Sequence, residues 1–282
     1  MRVGVTGARG LLGQALVQAF RFAHQVYPLN RADADITRFE EVLALLEKLR
    51  LDVVVHTAAV RDLDICETDP ARAFLVNFHG TRHVVEAARR TGAAVAHIST
   101  DAVFDGKSER PYTESDIANP PTVYGRAKLR AEEVVKTLPS FWIFRVSILF
   151  GPGKANLVAD AVRTVGEGGE VLAPRDQTAN ATYTPDAARK IAEVVGSGRC
   201  GLYHLANQGS CSRFELVRRA VDLAGLDAGK IRGVASAEMG RPAARLKYAV
   251  MEMTALEQAG FTLPRPWPEA LAEYVPMILP RP

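Results

Sequence analysis

Cysteine is scarce in this chain: Cys66, Cys200 and Cys211 are the only three among 282 residues. They are odd in number and form no CxxC or metal-ligand spacing, so a disulfide framework and a zinc site are both excluded. Reduced, core-packed thiols in a cytoplasmic protein are the expectation. An excess of one charge is also lacking. Thirty-five basic residues against 32 acidic ones leave +3, with the basic residues dispersed, which argues against a nucleic-acid partner. No apolar run reaches bilayer-spanning length, so no membrane association is expected. The chain enters an apolar strand pattern at once, "MRVGVTG", and no export leader is expected. Repeats and low-complexity segments are absent. What is there, 48% hydrophobic and 24% charged residues, describes a soluble globular protein with room for one large domain or two unequal ones.

Short β-rich apolar runs alternate with helical patterns through the first half. "RVGVT" predicts a strand and residues 11–22 a helix; "QVYPL" predicts a second strand and 38–50 a second helix. "LDVVVHTA" is the continuous apolar run of a strand buried on both faces. A helix over 71–91 follows, then the strands "AAVAHIST" and "FWIFRVSILF". This order predicts an α/β fold, a doubly wound parallel sheet of Rossmann type over 1–150. From about 151 Gly, Pro and short mixed segments dominate, with helices at 185–196 and 212–225. They predict a smaller, loop-rich α+β lobe over 151–282. It interleaves with the first domain by chain crossings and closes over the carboxyl ends of the strands, where ligands bind.

"VGVTGARGLLGQAL" sets Gly7, Gly10 and Gly13 between the first strand and the first helix, with Leu11 and Leu12 among them. Glycines there allow a tight turn and let a pyrophosphate approach backbone N–H groups. The spacing, GxxGxxG, predicts a nucleotide site. The second strand should end near Leu29, where an acid would bind a ribose 2′-hydroxyl. Asn30 and Arg31 stand there instead, and Arg9 lies in the glycine loop. Two guanidinium groups pair with a 2′-phosphate, which favours NADP and leaves NAD admissible. Asp33 competes, lying about twenty residues past the last glycine; a solvated loop carboxylate is the reading preferred for it.

The run "YGRAK", residues 124–128, puts Tyr124 and Lys128 four apart, on one face of a helix. A lysine beside a tyrosine favours the phenolate and brings the phenol toward the range of a general acid. By itself the pattern equally suits an ordinary amphipathic helix.

Together these pieces resemble the extended short-chain dehydrogenase/reductase family, specifically its dTDP-4-dehydrorhamnose reductase branch, which also contains the regulatory beta subunit of methionine adenosyltransferase. The matching stretches are "TGARGLLG", "ADIT", "HTAAVRDLDICE", "VN" at 76–77, "HISTDAVFDG", "PYTESDIANPPTVYGRAKLRAE", "RVSILFG", "DQTANATYTPDAA" and "GLYHLANQG". They run in the family's order over residues 1 to about 209. The resemblance implies Thr100, Tyr124 and Lys128 as the catalytic set. It implies Asp35 and Ile36 against the adenine, and Ala58, Ala59 and Val60 as the cofactor's ribose–pyrophosphate wall, although strand packing explains that trio too. Ser99, Tyr124 and Lys128 complete the cofactor contacts. Asn77 either hydrogen-bonds the active-site backbone or is satisfied within its own helix. Thr100 either donates to a substrate carbonyl or caps a turn.

The implied reaction is NAD(P)H-dependent reduction of a 4-keto sugar nucleotide, with Tyr124 giving the proton. The implied substrate contacts are Thr100, Asp101, Ser147, Ile148, Asp176, Gln177 and Arg241; the expected partner is a small nucleotide sugar, and a homodimer is the assembly to test. Related dehydratases carry Thr-Asp-Glu, whereas here Ala102 follows Asp101, which disfavours dehydration and leaves epimerisation open. Other departures concern the substrate. Ala179 and Ala181 replace a glycine and a proline of the reductase pattern, while Asp176, Gln177, Thr182 and Asp186 match it. Ile148 stands where the reductases place a base-stacking tryptophan, and Arg241-Pro242 lacks the Leu-Asp that usually follows. These departures lean toward the regulatory-subunit branch, whose idle, NADP-holding kind of protein is the alternative reading; the intact Thr100, Tyr124 and Lys128 favour the enzyme.

Overall fold

The structure, a computed structural model, describes residues 1–279. The alternation of strand and helix builds a six-stranded sheet from β1 (Arg2–Thr6), β2 (Gln25–Leu29), β3 (Val53–His56), β4 (Ala94–Thr100), β5 (Phe141–Val146) and, far along the chain, β10 (Gly201–His204). The order is β10-β5-β4-β3-β1-β2, every pairing parallel. Between β1 and β3 the winding reverses direction, opening a crevice at the carboxyl ends of the strands. α1 (Leu11–Arg21) covers one face, with its apolar stripe, including Leu12, Leu16 and Phe20, in the core. α2 (Phe39–Leu49), α5 (Thr81–Thr91) and α6 (Val123–Val135) cover the other through Leu46, Val84 and Val135.

The helix expected over 71–91 is interrupted. α3 (Leu63–Thr68) and α4 (Pro70–Phe74) lead into a π-helical turn, Leu75–Gly80, and only then into α5. The turn brings Asn77 under the end of β3, where its amide takes the Val60 N–H at 2.8 Å and donates to the Val60 carbonyl at 2.9 Å. Of the two readings of Asn77, the structure shows the bond to the site backbone. "FWIFRVSILF" is not one strand either. It breaks at Ser147, and β6 (Ile148–Phe150) pairs with β9 (Ala181–Tyr183) away from the main sheet. β10 is the strand the sequence pattern does not announce: its four residues begin with a glycine and carry little periodicity.

The lobe contains α7 (Leu157–Gly166), β7 (Val171–Pro174), β8 (Thr178–Ala179), β11 (Cys211–Ser212), α9 (Arg213–Leu223), β12 (Ile231–Val234), β13 (Tyr248–Ala249) and α11 (Trp267–Ile278). They enclose their own core around Phe150, Tyr183, Leu216 and Tyr274. α8 (Thr184–Ser197) and α10 (Thr254–Gln258) return to the main sheet, on the α1 side. Among the described residues no helix is long and apolar enough to cross a membrane.

Candidate active site

The glycine loop is shaped by contacts that exclude side chains. Gly7 has φ +64°, and a Cβ there would lie 2.7 Å from the Thr57 hydroxyl. A Cβ on Gly13 would lie 2.3 Å from the Gly7 carbonyl. Gly10, the N-cap of α1, supplies no side-chain cap, so the first N–H groups of the helix face the crevice. Such a cradle accepts a phosphate and fits a dinucleotide cofactor. A cleft of about 820 Å³ runs from this loop to the lobe. All sixteen residues expected to hold cofactor line it: Gly7, Arg9, Gly10, Leu11, Leu12, Gly13, Asn30, Arg31, Asp35, Ile36, Ala58, Ala59, Val60, Ser99, Tyr124 and Lys128.

At the adenosine end the local bonds amend two expectations. Arg31 is exposed and its guanidinium lies on Asp35, 2.8 Å away, so a 2′-phosphate would have to share it with that carboxylate. Asp35 is turned to its own loop: the Thr37 N–H, first of all, holds its carboxyl below the usual range, with Arg31 adding to the effect. Asp33 is the solvated loop carboxylate expected: it stays exposed, accepts the Asn30 N–H at 2.7 Å and shapes the turn. Asn30 in turn accepts the Arg9 N–H at 3.2 Å.

At the cleft's centre, β4 ends on Thr100. Its hydroxyl donates to Asp101 at 2.9 Å and accepts the Ala102 N–H at 3.1 Å, so the turn-cap role is present. Asp101 also accepts from Ser147 at 2.5 Å. Burial pushes the Asp101 carboxyl up, opposed by the Ser147 and Thr100 bonds and by Arg213. The glycine of "YGRAK" is explained by packing. A Cβ on Gly125 would sit 2.2 Å from the Ala102 carbonyl, so only glycine lets α6 approach the end of β4. The Thr122 hydroxyl caps that helix on the Gly125 N–H at 3.0 Å.

Tyr124 behaves opposite to expectation. Burial, and then the Asp101 charge, push its phenol well above the ordinary tyrosine value. Lys128 does not counter this, because its nitrogen is turned to His97 Nε2, 2.9 Å away, and to the Ile98 carbonyl at 2.6 Å. Burial brings Lys128 itself down to about 7, with Glu132 opposing. Ser99 is likewise committed, donating to Glu132 at 2.5 Å. Glu132 is paired with Arg145 through two bonds of 2.9 and 2.7 Å, and both side chains are buried.

Of the expected substrate contacts, Thr100, Asp101, Ser147 and Ile148 line the cleft. Asp176, Gln177 and Arg241 do not. Asp176 is spent on the Ser236 N–H and hydroxyl, at 2.9 and 2.8 Å. Arg241 is half-exposed, 3.9 Å from Asp64. Gln177 is buried and accepts from Nε of Arg213 at 3.2 Å. Arg213, which sequence reading missed, does line the cleft, as do Lys154, Asn156 and Leu157. A signal existed: an arginine directly after the Ser212 N-cap places a cation at the positive end of a helix, where it costs stability unless it serves something.

A family model described as RmlD substrate binding domain matches residues 1–279. The chain is 35% identical to a dTDP-4-dehydrorhamnose reductase of Streptomyces griseus, over 98% of this chain and 94% of that one. It is 34% identical to the spore coat polysaccharide biosynthesis protein SpsK of Bacillus subtilis (strain 168), over 97% and 96% of the two chains. Among solved structures, the dTDP-4-dehydrorhamnose reductase of Bacillus anthracis str. Ames, in complex with NADP, superposes with a TM-score of 0.94 at 31% identity, covering 98% and 99% of the two chains.

Proposed function

The chain belongs to the RmlD substrate-binding-domain family, and from that membership we propose that it is an NADP-dependent oxidoreductase of the extended short-chain dehydrogenase/reductase type, reducing the 4-keto group of a nucleotide-linked deoxysugar. The observation that carries this reading is the placement of Thr100, Tyr124 and Lys128 on one cleft, with the glycine cradle at one end and Arg213 at the other. Relatives named as reductases support it and do not support the idle regulatory reading.

Bound NADPH supplies the hydride. The chain's own residues do the rest. Tyr124 keeps its proton, because burial and Asp101 disfavour the phenolate, and gives it to the keto oxygen. The Thr100 hydroxyl, exchanging Asp101 for that same oxygen, donates a second hydrogen bond. Lys128, with two N–H bonds on His97 and the Ile98 carbonyl, would offer its third to the cofactor ribose hydroxyls and, as an ammonium, stabilise the phenolate left behind. Ala102 offers a buried methyl where water elimination needs an acid, so dehydration is not the chemistry this site serves.

The lobe, in this reading, is the substrate unit. With Nε of Arg213 fixed by Gln177, the two terminal nitrogens of its guanidinium remain for the diphosphate, a bidentate match. Gln177 thus acts on substrate only through Arg213. A reducing, cytoplasmic setting goes with the reading, since Cys66, Cys200 and Cys211 are unpaired. The test is NADPH oxidation by the purified protein against a panel of 4-keto deoxysugars linked to dTDP, UDP and GDP. Turnover of at least one is the expected result; none with any member would sink the proposal.

A further inference from the structure

Lys128 is buried, 2% exposed, and its nitrogen is occupied inside the protein by His97 Nε2 and the Ile98 carbonyl. His97 is equally buried, at 1%, and its other ring nitrogen, Nδ1, has no hydrogen-bond partner among the described residues. His56 stands beside it in register on β3, the two rings stacked at 5.5 Å and 29°. The two histidines are bonded differently. His56 has a partner on each nitrogen, Thr6 Oγ1 at 2.8 Å on Nδ1 and Thr81 Oγ1 at 3.1 Å on Nε2. Thr81 spends its proton on the Asn77 carbonyl at 2.8 Å, so its oxygen must accept from Nε2–H of His56. Only one His56 tautomer closes that ladder. His97 has no such lock, because Lys128 alone addresses its ring.

From this asymmetry we infer that His97 is a positioning residue for Lys128, an imidazole that changes tautomer with the lysine's charge and so holds its nitrogen in either state. An ammonium donates to the Nε2 lone pair, with the ring proton on Nδ1. When Lys128 loses a proton to solvent, the amine becomes a good acceptor, the ring proton sits on Nε2, and the bond runs the other way. The imidazole stays neutral throughout, because burial first, then Lys128 and His56, hold it well below the usual histidine range. The other groups facing Lys128 are Tyr124 one turn back, Glu132 one turn on, and Arg145 on β5. Of these only Glu132 favours the ammonium, and Arg145 neutralises it. Both charge states are therefore populated near neutral pH. The importance of this device rests on Lys128 belonging to the proposed site; its test does not.

Nitrogen NMR of the full chain, labelled at histidine and free of cofactor and substrate, reads the tautomers directly. Between about pH 5 and about pH 9, a span that brackets ordinary histidine titration, His97 is expected to pass from Nδ1–H to Nε2–H with a midpoint at about 7. His56 keeps Nε2–H over the whole range. In Lys128→Met the His97 transition disappears. A wild-type His97 that holds one tautomer throughout, or one that still switches in Lys128→Met, overturns the inference. In turnover, His97→Gln, an amide that both donates and accepts, is expected to retain several-fold more activity than His97→Leu; equal losses would count against it. Since the NMR sample contains no substrate, failure of the sugar reading leaves this result standing, and the reverse.

Discussion

At Tyr124 the surroundings keep a proton on the phenol, which suits a donor more than a base. Tyr124→Phe is accordingly expected to leave NADPH affinity near the wild-type value while turnover drops by roughly two to four powers of ten. Stopped-flow turnover and calorimetric NADPH titration separate the two effects; full activity in the variant would refute the assignment. Arg213 makes a different kind of contribution. A hydrogen bond to a charged group is worth about 1.5–3 kcal/mol, so Arg213→Met should raise KM for the nucleotide sugar by roughly ten- to a hundredfold. Its kcat at saturation should change little, and Arg213→Lys should rescue only part of the loss, lacking the planar fork. A fall in kcat with KM unchanged would remove Arg213 from the substrate contacts.

Elements meet at glycines in this site, and the fit sets their tolerance. Gly125→Ala would drive a methyl to 2.2 Å from the Ala102 carbonyl and 2.6 Å from Pro120 Cβ, so α6 must move off the end of β4. Both melting temperature and turnover should fall. A Cβ on Gly196, in α8, would meet nothing within 4 Å, and Gly196→Ala should instead stabilise by about 0.5–1 kcal/mol through helix propensity. Thermal unfolding of the pair checks both signs. β6 carries the third element-scale expectation. Ile148 gives a branched aliphatic wall where an indole would stack, and base–aromatic stacking is worth about 1–3 kcal/mol. Ile148→Trp should tighten dTDP binding, and calorimetry showing no gain would mean that the base lies elsewhere along the cleft.

For the whole molecule, buried neutral histidines set the acid limit of stability. His56 and His204 are brought down to about 3, burial being the chief cause, and His97 is also held far below its ordinary value of 6.5. Below about 6.5 the unfolded chain takes up these protons and the folded one does not. Stability is therefore lost as pH falls from about 6.5 toward about 3, each group contributing up to about 1.4 kcal/mol per pH unit. Burial raises Asp101 and Glu114, which opposes the loss but acts nearer the carboxylate range. Urea unfolding at pH 7 and pH 5 should show a lower midpoint at pH 5 with an unchanged slope; equal midpoints would contradict the buried-neutral assignment.

Residue pattern alone determined the parallel sheet, the glycine cradle and the pairing of Tyr124 with Lys128 on one helix. All three depend on neighbours in the chain: alternation of apolar runs, a strand–helix junction, a four-residue spacing. It could not determine where Lys128 points, because the competing partner, His97, comes from a strand thirty-one residues earlier. Nor could it find Arg213 or the inward role of Gln177: the pattern marks a helix at 212–225, but only nonlocal packing brings the first residue of α9 to the cleft and onto Gln177. β10 joins the sheet beside β5 through nonlocal backbone pairing that four residues do not announce. Local spacing fixes which groups share an element; tertiary packing decides which of them face water, which face one another, and hence what charge each carries.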